Sequence, residues 1–381
     1  MNLTARKRNS ILAGTIALSS LAHSQVPDLL NALDAGGRAM GIGGATQATD
    51  SNTMSAFYNP AGLAYVTSPT MAAAFRNLPE SNTVLSGKLN NPSMDTSRDH
   101  GSKKVSHVGF AWPVKGGTLG ISFTKGGAIL DSRTQTTLTD DQNREIRQYS
   151  RTLKAETDFF NISFGKSGRN GVNYGAGLVF ANQYLFDSEK YRVVIVQGQT
   201  ITVDNGSPSG NLTGIGAIFG VQFPTSQDQK SMVGLSVRTP IQLQGNDRLK
   251  NYMNKLPGRA SLGLATRTDG LRGGPDFLVY GAQLDYFFGS DKNGFFKRKD
   301  VLGGGVGFEY NMHRYGGRIP IRAGFSVSPS AGDGFQTRNS LTFGVGYRPN
   351  SGGVTFDLNG GLPSGGGAMD LGLSVSYKIG N

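Results

Sequence analysis

The feature that most restricts this chain is a period-two alternation of apolar and polar residues, recurring in blocks of about ten. Leu371, Leu373, Val375, Tyr377 and Ile379 alternate with Asp370, Gly372, Ser374, Ser376 and Lys378. Leu341, Phe343, Val345 and Tyr347 alternate with Thr342, Gly344, Gly346 and Arg348, and Ile319, Ile321, Ala323, Phe325 and Val327 do the same further back. Successive side chains of a strand point to opposite faces, so each block is a strand with one apolar and one polar face. The alternation places strands near 69–77, 105–114, 117–127, 155–166, 172–186, 211–223, 231–240, 259–268, 276–289, 301–312, 318–328, 339–348, 353–360 and 369–379.

The links between these strands are of two kinds. Lys115-Gly116, Ser167–Gly171, Thr225–Lys230, Asp269–Pro275, His313–Gly317 and Pro349–Gly352 are short, while 77–104, 128–154 and 187–210 are long. A soluble sandwich shows the same alternation but has no reason to sort its links by parity. An even set of about 14 strands with short turns at one end and long loops at the other predicts an all-β fold, a transmembrane antiparallel β-barrel. Composition agrees. Gly makes up 56 of 381 residues, hydrophobic residues are 37 %, and the mean hydropathy is −0.28. No stretch after the first 24 residues is apolar enough for a membrane helix, whereas a barrel with a polar lumen averages to polar. A Gly-rich solenoid or a partly disordered chain would share the glycine but not the periodicity. Trp112, Tyr174, Phe186, Phe287, Phe288, Tyr310, Tyr347 and Tyr377 fall near strand ends, where the headgroup layers of a membrane would lie.

Residues 1–24 read as a signal peptide: Arg6, Lys7 and Arg8, then the apolar run from Ile11 to Leu21, then Ala22-His23-Ser24. The chain has no cysteine, which leaves no lipoprotein anchor, disulfide or thiolate site. Residues 25–68 do not alternate. They carry Gly36-Gly37-Arg38-Ala39-Met40-Gly41-Ile42-Gly43-Gly44-Ala45 and then Phe57-Tyr58-Asn59-Pro60-Ala61-Gly62-Leu63-Ala64. The glycine run is not a dinucleotide fingerprint, because no strand precedes it and no long helix follows. Pro60 fixes its own φ and pushes Asn59 toward extended geometry.

These two runs resemble the N-terminal signature of the long-chain fatty-acid transporter family of outer-membrane barrels, and equally that of a related barrel group, some of whose members serve protein secretion. Leu256-Pro257-Gly258-Arg259-Ala260-Ser261-Leu262-Gly263-Leu264-Ala265 resembles the strand start after the family's fourth outer loop. Phe308-Glu309-Tyr310 with Ile319-Pro320-Ile321-Arg322-Ala323-Gly324-Phe325 resembles its late hairpin. The resemblance implies a barrel of 14 strands over 69–381, plugged by 25–68 as a hatch. It further implies capture of a hydrophobic molecule among the outer loops, binding against the hatch, and lateral exit through the wall. Phe57, Tyr58, Asn59, Pro60, Ala61 and Leu63 are the hatch and ligand residues to examine. The structural alternative for Asn59-Pro60-Ala61 is a corner without ligand contact.

The expected function is uptake of hydrophobic small molecules such as long-chain fatty acids or hydrocarbons across the outer membrane of a Gram-negative cell. The alternative is a plugged barrel that anchors or shuttles exported proteins, which the polarity of the 128–154 loop favours. Val193, Val194, Ile195, Val196, Ile201 and Val203 point to a hairpin continuing above the membrane. The net charge of +12 includes Arg98, Lys103, Lys104, Arg133, Arg144, Arg147 and Arg151 in or beside outer loops. They would meet either a carboxylate-bearing ligand or lipopolysaccharide. Nucleic acid is not an expected partner, since no compact basic motif exists. Among the histidines outside the signal segment, His100, His107 and His313, none has a partner motif for general-base work, so no enzyme, metal or cofactor is expected. The protein is expected to be monomeric and surrounded by membrane lipid.

Overall fold

A strand that is apolar on alternate residues can bury that face in a core or offer it to lipid, and here it offers it to lipid. The computed structural model describes residues 26–27, 37–49, 51–77, 81–88, 91–95, 103–125, 130–139, 145–195, 199–204, 208–271, 273–294, 298–329, 335–363 and 369–379. Residues 1–24, expected to be a signal peptide, lie outside this set, as do Arg98, His100, Arg144 and Val196, and the side chains of Lys103, Lys104, Arg133, Arg147, Arg151, Val193, Val194, Ile195, Ile201 and Val203.

The wall is built from β1 (Thr70–Asn77), β2 (Lys103–Val114), β3 (Gly117–Lys125), β4 (Glu145–Ser167), β5 (Asn173–Ile195), β6 (Ser209–Pro224) and β7 (Ser231–Arg238). It continues through β8 (Gly258–Leu271), β9 (Asp276–Phe288), β10 (Val301–Arg314), β11 (Gly317–Ser328), β12 (Arg338–Pro349), β13 (Val354–Pro363) and β14 (Asp370–Lys378). Each strand pairs antiparallel with the next. β14 closes on β1, with Thr70 opposite Lys378 and Arg76 opposite Gly372. Every strand expected from the alternation is present.

Burial is inverted relative to a soluble protein. Leu341, Phe343, Val345, Leu371, Leu373 and Tyr377 are exposed on the outer face. Asn161, Gln183, Gln222, Gln283, Asn311, Arg322 and Asn359 are buried on the inner one. The sandwich reading is thereby excluded, because its apolar face would be the buried one. Of the strand-end aromatics, Trp112, Tyr174 and Tyr377 face outward, but Phe287 is buried inside and its neighbour Tyr286 takes the outer position. Parity decides this, since Leu284 and Tyr286 share the outer face.

β4 and β5 run well past their expected ends. Glu145–Ala155 pairs with a strand at Leu130–Thr139, and Lys190–Ile195 pairs with Gln199–Asp204, the expected hairpin above the wall. The polar run around 131–139 has no apolar face to offer lipid, which is why alternation did not reveal it as a strand.

Inside the wall lies the segment 37–66. It forms α1 (Arg38–Gly41), α2 (Ser55–Tyr58) and a 3-10 turn (Pro60–Tyr65). It seats on three bare patches of the inner wall, each made of glycines paired across strands. Gly165, Gly175 and Gly220 line up across β4, β5 and β6 beneath Asn59-Pro60. Gly234 and Gly263 pair across β7 and β8 beneath Gln47. Gly281, Gly307 and Gly324 line up across β9, β10 and β11 beneath Ile42 to Ala45. A Cβ on Gly175, Gly220, Gly234 or Gly307 would come closer than 3.0 Å to atoms of the inner segment. The glycine richness is therefore a docking requirement: plug backbone meets wall backbone.

Gly175→Val puts a branched side chain into the backbone of Pro60. The barrel is expected to fold, with the usual heat-dependent shift on gels, but with its plug unseated. Planar-bilayer recordings should then show persistent conductance that the unaltered protein lacks; a closed Gly175→Val barrel would show that the patch is not what seats the plug.

Candidate functional site

Three sets of contacts hold the plug. The first is electrostatic and lies toward the end of the barrel that carries the short turns. Arg38 Nε donates to Glu309 Oε2 at 2.8 Å, and the wholly buried Arg322 donates Nε to the same oxygen at 2.7 Å. A second nitrogen of Arg322 lies 2.7 Å from Asp357, and Arg348 lies 3.8 Å from Glu309. Asn311 Nδ2 donates to Glu309 Oε1 at 3.0 Å, and Arg38 also reaches Thr49 at 2.6 Å. Glu309 thus ties the first helix of the plug to β10 and β11. Beside this cluster, a space of about 760 Å³ opens between the plug and the short turns, lined in part by Arg348, Lys230 and Lys378.

The second set is made of amides. Gln283 Oε1 accepts from the backbone nitrogens of Thr46 and Gln47 at 3.0 and 3.1 Å. The Gln47 carbonyl accepts from Gln222 at 2.7 Å and from Asn59 at 3.1 Å, and Gln47 Oε1 accepts from Ser236 at 3.0 Å. These bonds satisfy irregular backbone that would otherwise be buried without partners. His107 contributes to the same task on the other side, lying between Thr53 of the plug at 3.3 Å and Thr124 of β3 at 3.0 Å.

The third is apolar and lies toward the long-loop end. Phe57 and Tyr58 join Phe159, Val179, Leu185, Leu212, Ile218 and Phe287 in one buried cluster. The Phe57 and Phe159 rings are 5.4 Å apart. The cluster is completed by the link between β7 and β8, which folds inward and contributes Ile241, Leu243, Leu249, Met253 and Leu256. A short helix, α3 (Asp247–Lys250), lies on this link, capped by Asn246, whose side chain accepts from Arg248 N at 2.9 Å. Asp291 in the next link holds it in place by accepting from Asn254 N at 2.8 Å. Beside the cluster, a cavity of about 70 Å³ is lined by Met40, Tyr58, Arg259, Asp285, Phe287 and Thr342, among others.

No family model and no curated protein matches this sequence. Solved structures do match. A Pseudomonas aeruginosa FadL homologue aligns over 90 % of this chain and 98 % of its own, at a TM-score of 0.58 and 14 % identity. The Ralstonia pickettii toluene transporter TbuX aligns over 91 % and 98 %, at 0.59 and 13 %. The P. putida toluene transporter TodX aligns over 91 % and 98 %, at 0.62 and 10 %. The chain has the fold of the FadL-type barrels.

Within this barrel the residues singled out from the sequence divide into two groups. Asn59 has the extended geometry expected before proline, with φ −154° and ψ 98°. Its Oδ1 accepts from Ala61 N at 3.2 Å, and Pro60 takes the first position of the 3-10 turn. Asn59, Ala61 and Leu63 are fully buried. Leu63 packs against Gly120 and clusters with Ala56, Val66 and Ala111, facing β2 and β3. Phe57 and Tyr58 point instead into the apolar cluster near the long loops, so these residues do not surround one common pocket. His313 lies 3.7 Å from Asp276, in the short-turn region.

The link 239–257 was not among the expected capture loops, although Leu249, Met253 and Leu256 recur at helical spacing. Glu309 and Arg322 fall in the late-hairpin runs of the resemblance, Gln283 at an inward strand position and Gln47 in the non-alternating segment, but nothing in the sequence marked them as the groups that hold the plug. Glu309→Gln leaves Arg38, Arg322 and Arg348 short of one negative charge, and breaking such a buried pair costs about 3–5 kcal/mol. The denaturant midpoint of the refolded barrel should fall accordingly. An unchanged midpoint would mean that this network does not hold the plug.

Proposed function

We propose that this barrel takes up hydrophobic small molecules across an outer membrane, long-chain fatty acids or hydrocarbons being the classes expected, with segment 37–66 as its hatch. The observation that carries this reading is the position of the apolar cluster. It lies inside an otherwise polar lumen, between Phe57 of the plug and the inward-folded link 239–257, at the end bearing the long loops. An apolar solute loses about 25 cal/mol for each Å² returned to water, so a greasy station at the mouth lowers the cost of entry. On this reading the longer loops form the capture surface, and Leu249 and Met253, both buried, belong to the apolar station beneath it.

The outward face supports a membrane setting, since its exposed Leu, Phe and Val side chains are costly in water and at ease against acyl chains. The seated plug supports a sideways exit. Its backbone is locked to the wall by bare patches and amide bonds, so a molecule at the cluster meets a blocked axial route. The names of TbuX and TodX describe toluene transporters, and transport of an apolar solute by this chain is consistent with sharing their fold.

Native mass spectrometry of the detergent-purified protein, with solvent extraction of what it carries, tests the proposal. A co-purifying fatty acid or hydrocarbon is expected, with at least a tenfold lower yield from a Phe57→Ser, Met253→Ser variant, a change of about 1.4 kcal/mol or more in binding. A barrel free of apolar ligand but carrying a stoichiometric protein would replace this reading with the anchor or shuttle role.

A further inference from the structure

Two arginines stand side by side on the inner wall near the short turns. Arg318 of β11 and Arg348 of β12 are direct cross-strand partners, and both line the space of about 760 Å³ between the plug and the turns. Like charges set opposite each other across a ladder repel. The lumen holds a second pair of this kind, Arg238 of β7 and Arg259 of β8, and there the protein answers it. Asp285 accepts from Arg259 Nη2 at 2.9 Å, and Arg238 lies over the Phe159 ring at 4.8 Å.

Arg318 and Arg348 receive no such answer among the described residues. Arg318 pairs with no carboxylate there, and the Phe277 ring 5.9 Å from it is already covered by Arg267 at 3.8 Å. Asp276, two strands away, is taken by the Tyr310 hydroxyl at 2.7 Å and the His313 backbone nitrogen at 2.8 Å. Arg348 has one ion pair among the described residues, the 3.8 Å approach to Glu309, and that carboxylate already accepts from Arg38 and Arg322. Asp357 is held by Arg322 at 2.7 Å. Four guanidinium groups, those of Arg38, Arg318, Arg322 and Arg348, thus meet two carboxylates, and Lys378 adds an amine to the same lining. Elsewhere in the lining, Lys230 and Arg267 are matched by Asp228 and Asp269. The excess of positive charge is local to Arg318 and Arg348.

We propose that Arg318 and Arg348 form the seat of a phosphate dianion, free or as the monoester end of a small polar solute, which enters from the side of the short turns. A guanidinium is a planar fork of donors that matches two oxygens of such a group, and two forks on adjacent strands grip it from two directions. A dianion also meets the local excess of charge in full, where a single carboxylate or chloride meets half of it. The closed wall stands between this space and lipid, so a phospholipid headgroup outside the barrel does not reach it. The seat differs from the apolar station in place and in ligand, and it stands or falls apart from the transport reading. Its occupancy bears on the plug. Arg38, on α1 of the plug, shares Glu309 with Arg348. A phosphate that takes Arg348 leaves Glu309 to Arg38 and Arg322, which tightens the hold of the wall on the plug.

The test titrates the purified full-length barrel by calorimetry at pH 8 with inorganic phosphate and with glycerol 3-phosphate, chloride holding the ionic strength constant. The expected result is one anion bound per barrel with a Kd of about 1 mM or tighter, and a midpoint of heat-dependent gel migration that rises with phosphate. Arg318→Gln, which breaks no ion pair among the described residues, should weaken binding about tenfold or more and remove the rise. Lys230→Gln removes a cation that Asp228 and Asp269 already answer, and should leave both readouts in place. Tighter binding of glycerol 3-phosphate supports the seat with an esterified ligand, and tighter or equal binding of inorganic phosphate supports it with a free one. If Arg318→Gln loses heat-dependent migration it has not folded, and then Arg318→Lys decides, by whether its affinity falls below that of the unaltered barrel. The proposal is overturned if the unaltered barrel binds neither probe, or if the deciding Arg318 variant binds as well as the unaltered barrel. It is overturned too if Lys230→Gln weakens binding as much as Arg318→Gln, since a diffuse positive field would then explain the result.

Discussion

Contact of backbone with backbone is the constraint on which the rest of this structure depends. A lumen wide enough to need a plug could be filled with side chains, but here the plug is itself irregular chain pressed onto sheet. Such chain can lie flat on a wall only where the wall has no Cβ atoms. The paired glycines of β4–β6, of β7–β8 and of β9–β11 supply those places. Once the plug lies flat, its amide groups fall within reach of the wall's inward side chains, and Gln222, Gln283 and Ser236 can satisfy them. The glycine patches of the wall and the amide side chains beside them answer one requirement.

Two buried arginines of the lumen are held in opposite ways. Toward the short turns, Arg322 is wholly buried but meets both Glu309 and Asp357. Toward the long loops, Arg238 is almost as buried and meets aromatic faces and one carbonyl. In a low-dielectric interior, attraction and desolvation are both amplified, so the ion-paired cluster is held firmly while Arg238 rests on ring faces and one carbonyl.

The wall was legible from the sequence because lipid enforces an apolar residue at every second position, and a one-residue slip would put Arg322 where Ile321 belongs. The plug was legible as a break in that rhythm, and Asn59 before Pro60 announced its own geometry. What was not legible follows from short-range direction. Phe57, Tyr58 and Leu63 are near neighbours in sequence, but two short helical turns with an extended residue between them send Phe57 toward the loops and Leu63 toward β3. Arg238 and Arg259 have the same inward parity, and nothing in the sequence says which of them Asp285 will neutralise. Phe287 and Tyr286 are both aromatic at a strand end, and only the register puts Phe287 inside. The link 239–257 folds inward on Ile241, Leu243, Leu249, Met253 and Leu256, only the third of which lies on its short helix, and a link between strands is ordinarily read as solvent-facing chain.

The closure of the barrel has a consequence for its biogenesis. β1 follows directly from the plug, and among the described residues it pairs with β2 on one side and with β14, far along the chain, on the other. Ile379 donates its backbone nitrogen to Pro69 at 2.7 Å, and Arg76 on β1 meets Asp370 on β14 at 3.0 Å, so the seam joins the two extremes of the wall. A chain with its seam open therefore holds a plug attached to a free strand edge, with the glycine patches on strands still to be brought into a circle. Seating the plug and zipping the seam are one late event with a very large loop to close, a step that chain entropy slows. Because the plug is tethered to β1, the strand that closes the circle carries with it the segment that the circle encloses.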